Sequence, residues 1–150
     1  MRFAETGLIM GRWETFDHTA DVGMIVTGAD LNDLFRTAAE ALFDYIVVNR
    51  TDVRPRIHET VHLASEETGD LLITWLNELI FLSETKHLLY AEFVVRVSED
   101  GRSLAATIGG EPIDRERHEL DHEVKAVTRH GVELEHLEKD GWVAEFILDI

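Results

Sequence analysis

The stretch "FDHTADVG", Phe16 to Gly23, crowds Asp17, His18, Thr19 and Asp21 into one polar corner just before an apolar run. Two carboxylates, an imidazole and a hydroxyl at such spacing fit two readings. Asp and Thr bond their own backbone in turns, and the same oxygen-rich set also suits a cation or a phosphate. A second concentration of reactive groups closes the chain, where "EVKAVTRHG" supplies Lys125 and His130 and "WVAEFILDI" ends on Asp149 and the Ile150 carboxylate. Termini commonly fray, so an apolar strand that runs to the last residue suggests an end that is tied down. The ordinary alternatives are a turn or cap acid for Asp21, a solvated terminal acid for Asp149 and a cross-strand ion pair for Lys125, which by period shares a face with Glu123 and Val127.

A literal zinc-protease signature is present as "HELDH", His118 to His122. That chemistry needs a helix: two imidazoles at i and i+4 stand about 5 to 6 Å apart on a helix face but roughly 13 Å apart along a strand. The surrounding apolar positions are too sparse for a buried helix, so these histidines are expected in a loop or at a strand edge, facing water. His58, His62, His87 and His136 are scattered over polar faces and read as surface residues. No nucleophile elbow, P-loop or dinucleotide-binding glycine pattern occurs.

Composition narrows the chemistry further. The chain lacks cysteine, which removes thiolate nucleophiles, disulfides and sulfur-ligated metals, so any metal would sit on oxygen or imidazole. Thirty acids against fourteen Lys and Arg give a formal net charge of -16. That balance argues against direct nucleic-acid binding over a broad face. No apolar run reaches the roughly 18 residues of a membrane-spanning helix, and no basic start with an apolar core directs export. The expectation is a cytoplasmic protein with no membrane contact. The 150 residues suit one domain spanning 1–150, with 1–11 as a dispensable extension if Met10 is the true start.

The elements that must position these groups follow from hydrophobic period. "RWETFDH" alternates as a strand and "VGMIVTGA" is a second, so the polar corner joins two strands. Asp30 caps a helix whose apolar stripe is Leu31, Leu34, Phe35, Ala38, Leu42 and Ile46. After a loop at "NRTDVRP", "IHETVHLA" alternates as a strand. "SEETGDLLITWLNELIFLSET" is the second helix, with Leu72, Trp75, Leu76, Leu79 and Leu82 inward and Phe81 expected in the core. From Lys86 onward the period is two, giving four or five antiparallel strands with breaks at Gly101, Gly109 and Gly110, and Gly131 and a hairpin at Asp140 and Gly141. The fold class expected is α+β, a two-layer, mostly antiparallel sheet with both helices packed on one face.

Taken together, "HTADVG", "LFRTAAEALF", "LLITWLNELIFL", "EVKAVTRHG" and "GWVAEFILDI" resemble the archease family in order, from about Trp13 to the last residue. The resemblance implies a protein cofactor of the RtcB-type RNA ligase. That enzyme joins a 2′,3′-cyclic phosphate or 3′-phosphate end to a 5′-hydroxyl in tRNA splicing and RNA repair. The implied role is to promote GTP- and metal-dependent guanylylation of the ligase and its multiple turnover, with GTP reaching the system through the partner. Carried onto this sequence, the family's metal ligands fall on Asp21, Asp149 and the Ile150 carboxylate, its lysine on Lys125 and its histidine on His130. One departure is Arg129, where an aromatic, usually tyrosine, is expected.

Read on their own chemistry, carboxylates gathered at one point repel unless a cation sits between them. Oxygen ligands without thiolate suit Mg²⁺, Ca²⁺ or Mn²⁺ better than zinc. His18 is expected to orient such ligands, and Lys125 to face a phosphate or a ligase carboxylate. The competing expectation is a stand-alone divalent-metal-dependent hydrolase of phosphoesters.

Overall fold

The computed structural model describes residues 11–18, 21–139 and 141–150, with His18 described by its backbone alone. Apart from Gly11, the expected N-terminal extension lies outside these residues, as do Thr19, Ala20 and Asp140. Two strands open the chain, β1 (Arg12–His18) and β2 (Asp21–Gly28), followed by helix α1 (Leu31–Ile46). Strand β3 (Ile57–Ala64), helix α2 (Thr68–Lys86) and strands β4 (Leu88–Val97), β5 (Ser103–Pro112), β6 (Ala126–His136) and β7 (Trp142–Asp149) complete it.

Helix α1 starts where the sequence says it should. The Asp30 side chain accepts from the Asp33 N–H at 2.8 Å, and Asp33 accepts in turn from the Ala29 N–H at 2.8 Å. These two bonds satisfy donors that an uncapped first turn would leave open. Leu34, Phe35, Ala38 and Leu42 are fully buried, each large apolar side chain contributing roughly 1.5–3 kcal/mol. In α2 the stripe Leu72, Trp75, Leu76 and Leu79 is likewise fully buried. The Trp75 indole N–H donates to the Phe35 carbonyl at 3.0 Å, so the two helices are joined by a directed bond as well as by packing.

The strands are antiparallel throughout, and the α+β class stands. What periodicity did not reveal is that they divide between two sheets, in the orders β1-β2-β7-β6 and β3-β5-β4. Helix α1 packs on β2 and β4, and α2 chiefly on β6, so the helices touch strands of both sheets. One continuous core results, with Met24 and Phe146 from the first sheet meeting Phe35 and Trp75 from the helices and Phe93 and Ile108 from the second sheet. Gly131 does not end a strand. The β6–β7 register shifts between Thr128 and Glu133, and the chain passes through Gly131 with φ +79 before β6 continues to His136. Such a bulge absorbs extra residues without breaking the pairing.

Two other expectations are corrected. Phe81 is 58% exposed, because it lies one residue off the inward stripe of α2. His118 does not face water: it is buried, with Nε2 3.0 Å from Glu111 Oε2 and Nδ1 accepting from the Asp114 N–H at 3.0 Å. Residues 118–122 form no helix, Leu120 making an isolated bridge to Val47, so the "HELDH" spacing cannot clamp one ion.

Candidate functional site

Strand register, rather than local sequence, assembles the candidate site. His18 pairs with Asp21 across β1 and β2, and Val22 pairs with Leu148 across β2 and β7. Continued one position past its last pair, that second register leads to Asp21 and Asp149, and Asp149 pairs on its other side with Ala126 of β6. Directly opposed residues on an antiparallel pair have Cβ atoms about 4.5–5.5 Å apart. The early polar corner and the closing strand therefore meet at one end of the four-stranded sheet.

Local packing holds this corner in place. Gly23 sits directly beneath the Phe16 ring: a Cβ there would lie 2.1 Å from the ring carbon Cζ. The aromatic of β1 thus lies flat on β2, which fixes the strand immediately before His18. Phe16 also packs against a small apolar cluster of Ile25, Leu137 and Val143 on the sheet side away from the helices. At the other end, the Lys125 N–H donates to the Asp149 carbonyl at 2.8 Å, so the last strand is held to the chain that precedes β6. The penultimate residue is pinned, as a ligand role requires.

The side chains at this end differ in exposure. Asp21 is half-buried, whereas Asp149 and Ile150 are exposed, Ile150 at 40%. Lys125 lies one residue before β6, so strand alternation does not fix its direction; it is exposed, and among the described residues it holds no ion pair. The cross-strand ion pair considered for it is thus not formed with any described residue. His130 is exposed on the β6 bulge, its N–H donating to Thr128 Oγ1 at 3.1 Å. Arg129 leans on α2 instead, with Nη2 3.3 Å from Thr74 Oγ1 and Nη1 3.8 Å from Asp70 Oδ1.

One positioning residue escaped the sequence reading. The Asn77 side chain on α2 donates to the Val127 carbonyl at 2.9 Å and accepts from the Val127 N–H at 2.8 Å. It occupies both main-chain groups of a buried strand residue two positions from Lys125. The only available signal was a polar residue amid an apolar helix.

For a cation, the donor chemistry is all oxygen. Asp21, Asp149 and the chain-end carboxylate supply hard anionic ligands, fitting a Mg²⁺, Ca²⁺ or Mn²⁺ ion. Among the described residues no three His, Asp or Glu side chains converge as a metal set.

The Archease protein family matches residues 13–150. A protein archease of Methanothermobacter thermautotrophicus is 40% identical over 144 residues, covering 94% of this chain and all of that protein. The corresponding protein of Thermococcus gammatolerans is 37% identical over 143 residues, with the same coverage. Among solved structures, the solution structure of Methanobacterium thermoautotrophicum protein 1598 superposes with a TM-score of 0.79 at 37% identity, covering 92% of this chain and 98% of that one. The crystal structure of a Thermotoga maritima protein described as an archease and "possible chaperone" shares the fold, with a TM-score of 0.62 at 21% identity over 91% of this chain and 96% of that one. The chain belongs to the archease family.

Proposed function

We propose that this protein is a non-catalytic cofactor of an RtcB-type RNA ligase, promoting its GTP- and metal-dependent guanylylation and its multiple turnover in tRNA splicing and RNA repair. Family membership supports the reading at its coarser level, and "possible chaperone" for the Thermotoga relative is compatible with action on a partner protein. The observation that supports the finer reading is the β2–β7 register, whose last pair, Val22 and Leu148, stands one position from Asp21 and Asp149.

In this reading Asp21, Asp149 and the Ile150 carboxylate hold one divalent ion, and Phe16 on Gly23 keeps the corner from splaying. Bound there, the ion neutralises negative charge where a nucleotide phosphate has to approach. Lys125, whose main chain is bonded to Asp149, places an ammonium at the same end of the sheet and steadies phosphate or a ligase carboxylate. The acidic exterior suits a ligase whose RNA channel is basic.

The test is RNA ligation by the matching ligase under single- and multiple-turnover conditions, with and without this protein. Stimulation of multiple turnover that is lost in Asp21→Asn and in Asp149→Asn supports the reading. Full stimulation by both variants would remove the metal site, and none by the unmodified protein would remove the function. Phosphoester turnover by the isolated protein with Mg²⁺ or Mn²⁺ would favour the hydrolase.

A further inference from the structure

A cleft of about 500 Å³ opens beside the sheet end, between the last turns of α1 and α2 and the segment that leads into β6. Its size falls within the roughly 300–1,000 Å³ typical of ligand sites. The floor is apolar, formed by Ile46, Ile80, Leu89, Ile113, Leu120 and Val124. The rim carries the carboxylates Glu84, Asp121 and Glu123 against one guanidinium, Arg115, with His87 and His122 between them. His122 is already engaged, stacked on Tyr45 with ring centroids 4.1 Å apart and with Nδ1 3.3 Å from Asp121 Oδ2.

The cleft reaches the segment before β6 at Val124, the residue next to Lys125. Along the α2–β6 contact, Arg129 lies beside Thr74 and Val127 beside Asn77. Two strand residues advance about 6.6 Å and four helix residues about 6 Å, so the next step brings Lys125 level with Phe81. Val124 lines the cleft, Lys125 follows it, and exposed Phe81 stands between Ile80 and the rim residue Glu84. An exposed aromatic beside an apolar cleft is the pattern of a contact surface.

We propose that this cleft, with Phe81 at its lip, docks a segment of the protein partner in which a bulky apolar side chain is flanked by Lys or Arg. The apolar floor takes the side chain, and the three carboxylates on the rim select the flanking cations. Docking here sets the partner against Lys125 and hence against the end of the sheet that carries Asp21 and Asp149. The proposal rests on the ligase-partner reading and adds to it the face and the chemistry of the contact.

The experiment measures the Kd of the full-length chain for the matching ligase by calorimetry. The variants are Phe81→Asp and the double reversal Glu84→Arg with Glu123→Arg, all at exposed positions. A control double reversal, Glu66→Arg with Glu99→Arg, changes net charge equally at the opposite ends of α2 and β4. The cleft variants should weaken binding at least about tenfold with unchanged circular dichroism, and the control should stay within about twofold, as expected of a local contact rather than a bulk field. Wild-type affinity in both cleft variants would overturn the cleft while leaving the ligase reading intact, and so would equal weakening in the control. A wild-type chain that does not bind the ligase would overturn both together.

Discussion

Val22 lies opposite Leu148 across β2 and β7, and this one pairing decides whether Asp21 and Asp149 can cooperate. A shift of one residue would send every side chain of the strand to the other face. Met24, Val26, Ala144, Phe146 and Leu148 are buried on the helix side and Ile25, Val143 and Ile147 on the other, so a slip would disturb two packed faces at once. Asp21→Asn and Asp149→Asn should each lower affinity for Ca²⁺ or Mn²⁺ at least about tenfold, the scale of losing one anionic ligand. Without metal, Asp149→Asn should not lose stability, since it removes like-charge repulsion at the sheet end. Ion titration and urea unfolding of the same samples check both halves.

Lys125 should separate ion binding from action on the partner. Lys125→Ala leaves the Lys125 N–H to Asp149 carbonyl bond in place while removing the ammonium. Ion affinity should stay near wild type, while multiple-turnover ligation should fall several-fold, the loss expected when a charge facing phosphate is deleted. Equal loss of both would tie the ammonium to the ion instead.

Asn77 should be a stability hot spot on a helix face where most polar residues are replaceable. Asn77→Ala orphans the buried N–H and carbonyl of Val127, at a cost of about 2 kcal/mol. Asn77→Asp keeps the acceptor for the N–H but sets a carboxylate oxygen against the Val127 carbonyl, so it should not restore wild-type stability. Urea midpoints of the two variants give the comparison, and hydrogen exchange at Val127 should rise in step.

Gly23 should not accept even alanine. A Cβ at that position collides with the Phe16 ring, so Gly23→Ala should cost about 1–3 kcal/mol through displaced packing. Adding Phe16→Ala to Gly23→Ala should recover part of that collision cost in thermal unfolding.

Glu111 gives the fold an acid-sensitive clasp. Hydrogen bonding from the Arg117 guanidinium, opposed by burial and reinforced by the Arg54 N–H and His118, holds its carboxyl at about 2. A carboxylate lowered in the folded state contributes fully above its unfolded value, near 4.3, and loses that contribution as pH falls toward about 2. The stability gap between wild type and Glu111→Gln should therefore be largest at neutral pH and shrink between about pH 4 and pH 2, as urea unfolding across that range will record.

Much of this protein was legible in the chain alone. The Asp30 cap and the 3.6-residue stripe from Leu34 to Leu42 specify α1, because those signals act within a turn or two of helix. Alternation, or for β2 a short apolar run, marked each strand, but it broke β5 and β6 at glycines that the strands run through. The α+β class and the family followed from the same residues. Tertiary structure decided what depends on long-range pairing. It divided the strands between two sheets, turned His118 inward onto Glu111, left Phe81 outside and carried β6 through Gly131. Above all, it paired β2 with β7, so that the strand ends carrying Asp21 and Asp149 adjoin, since which strands become neighbours is fixed only when helices and sheets bury their apolar faces together.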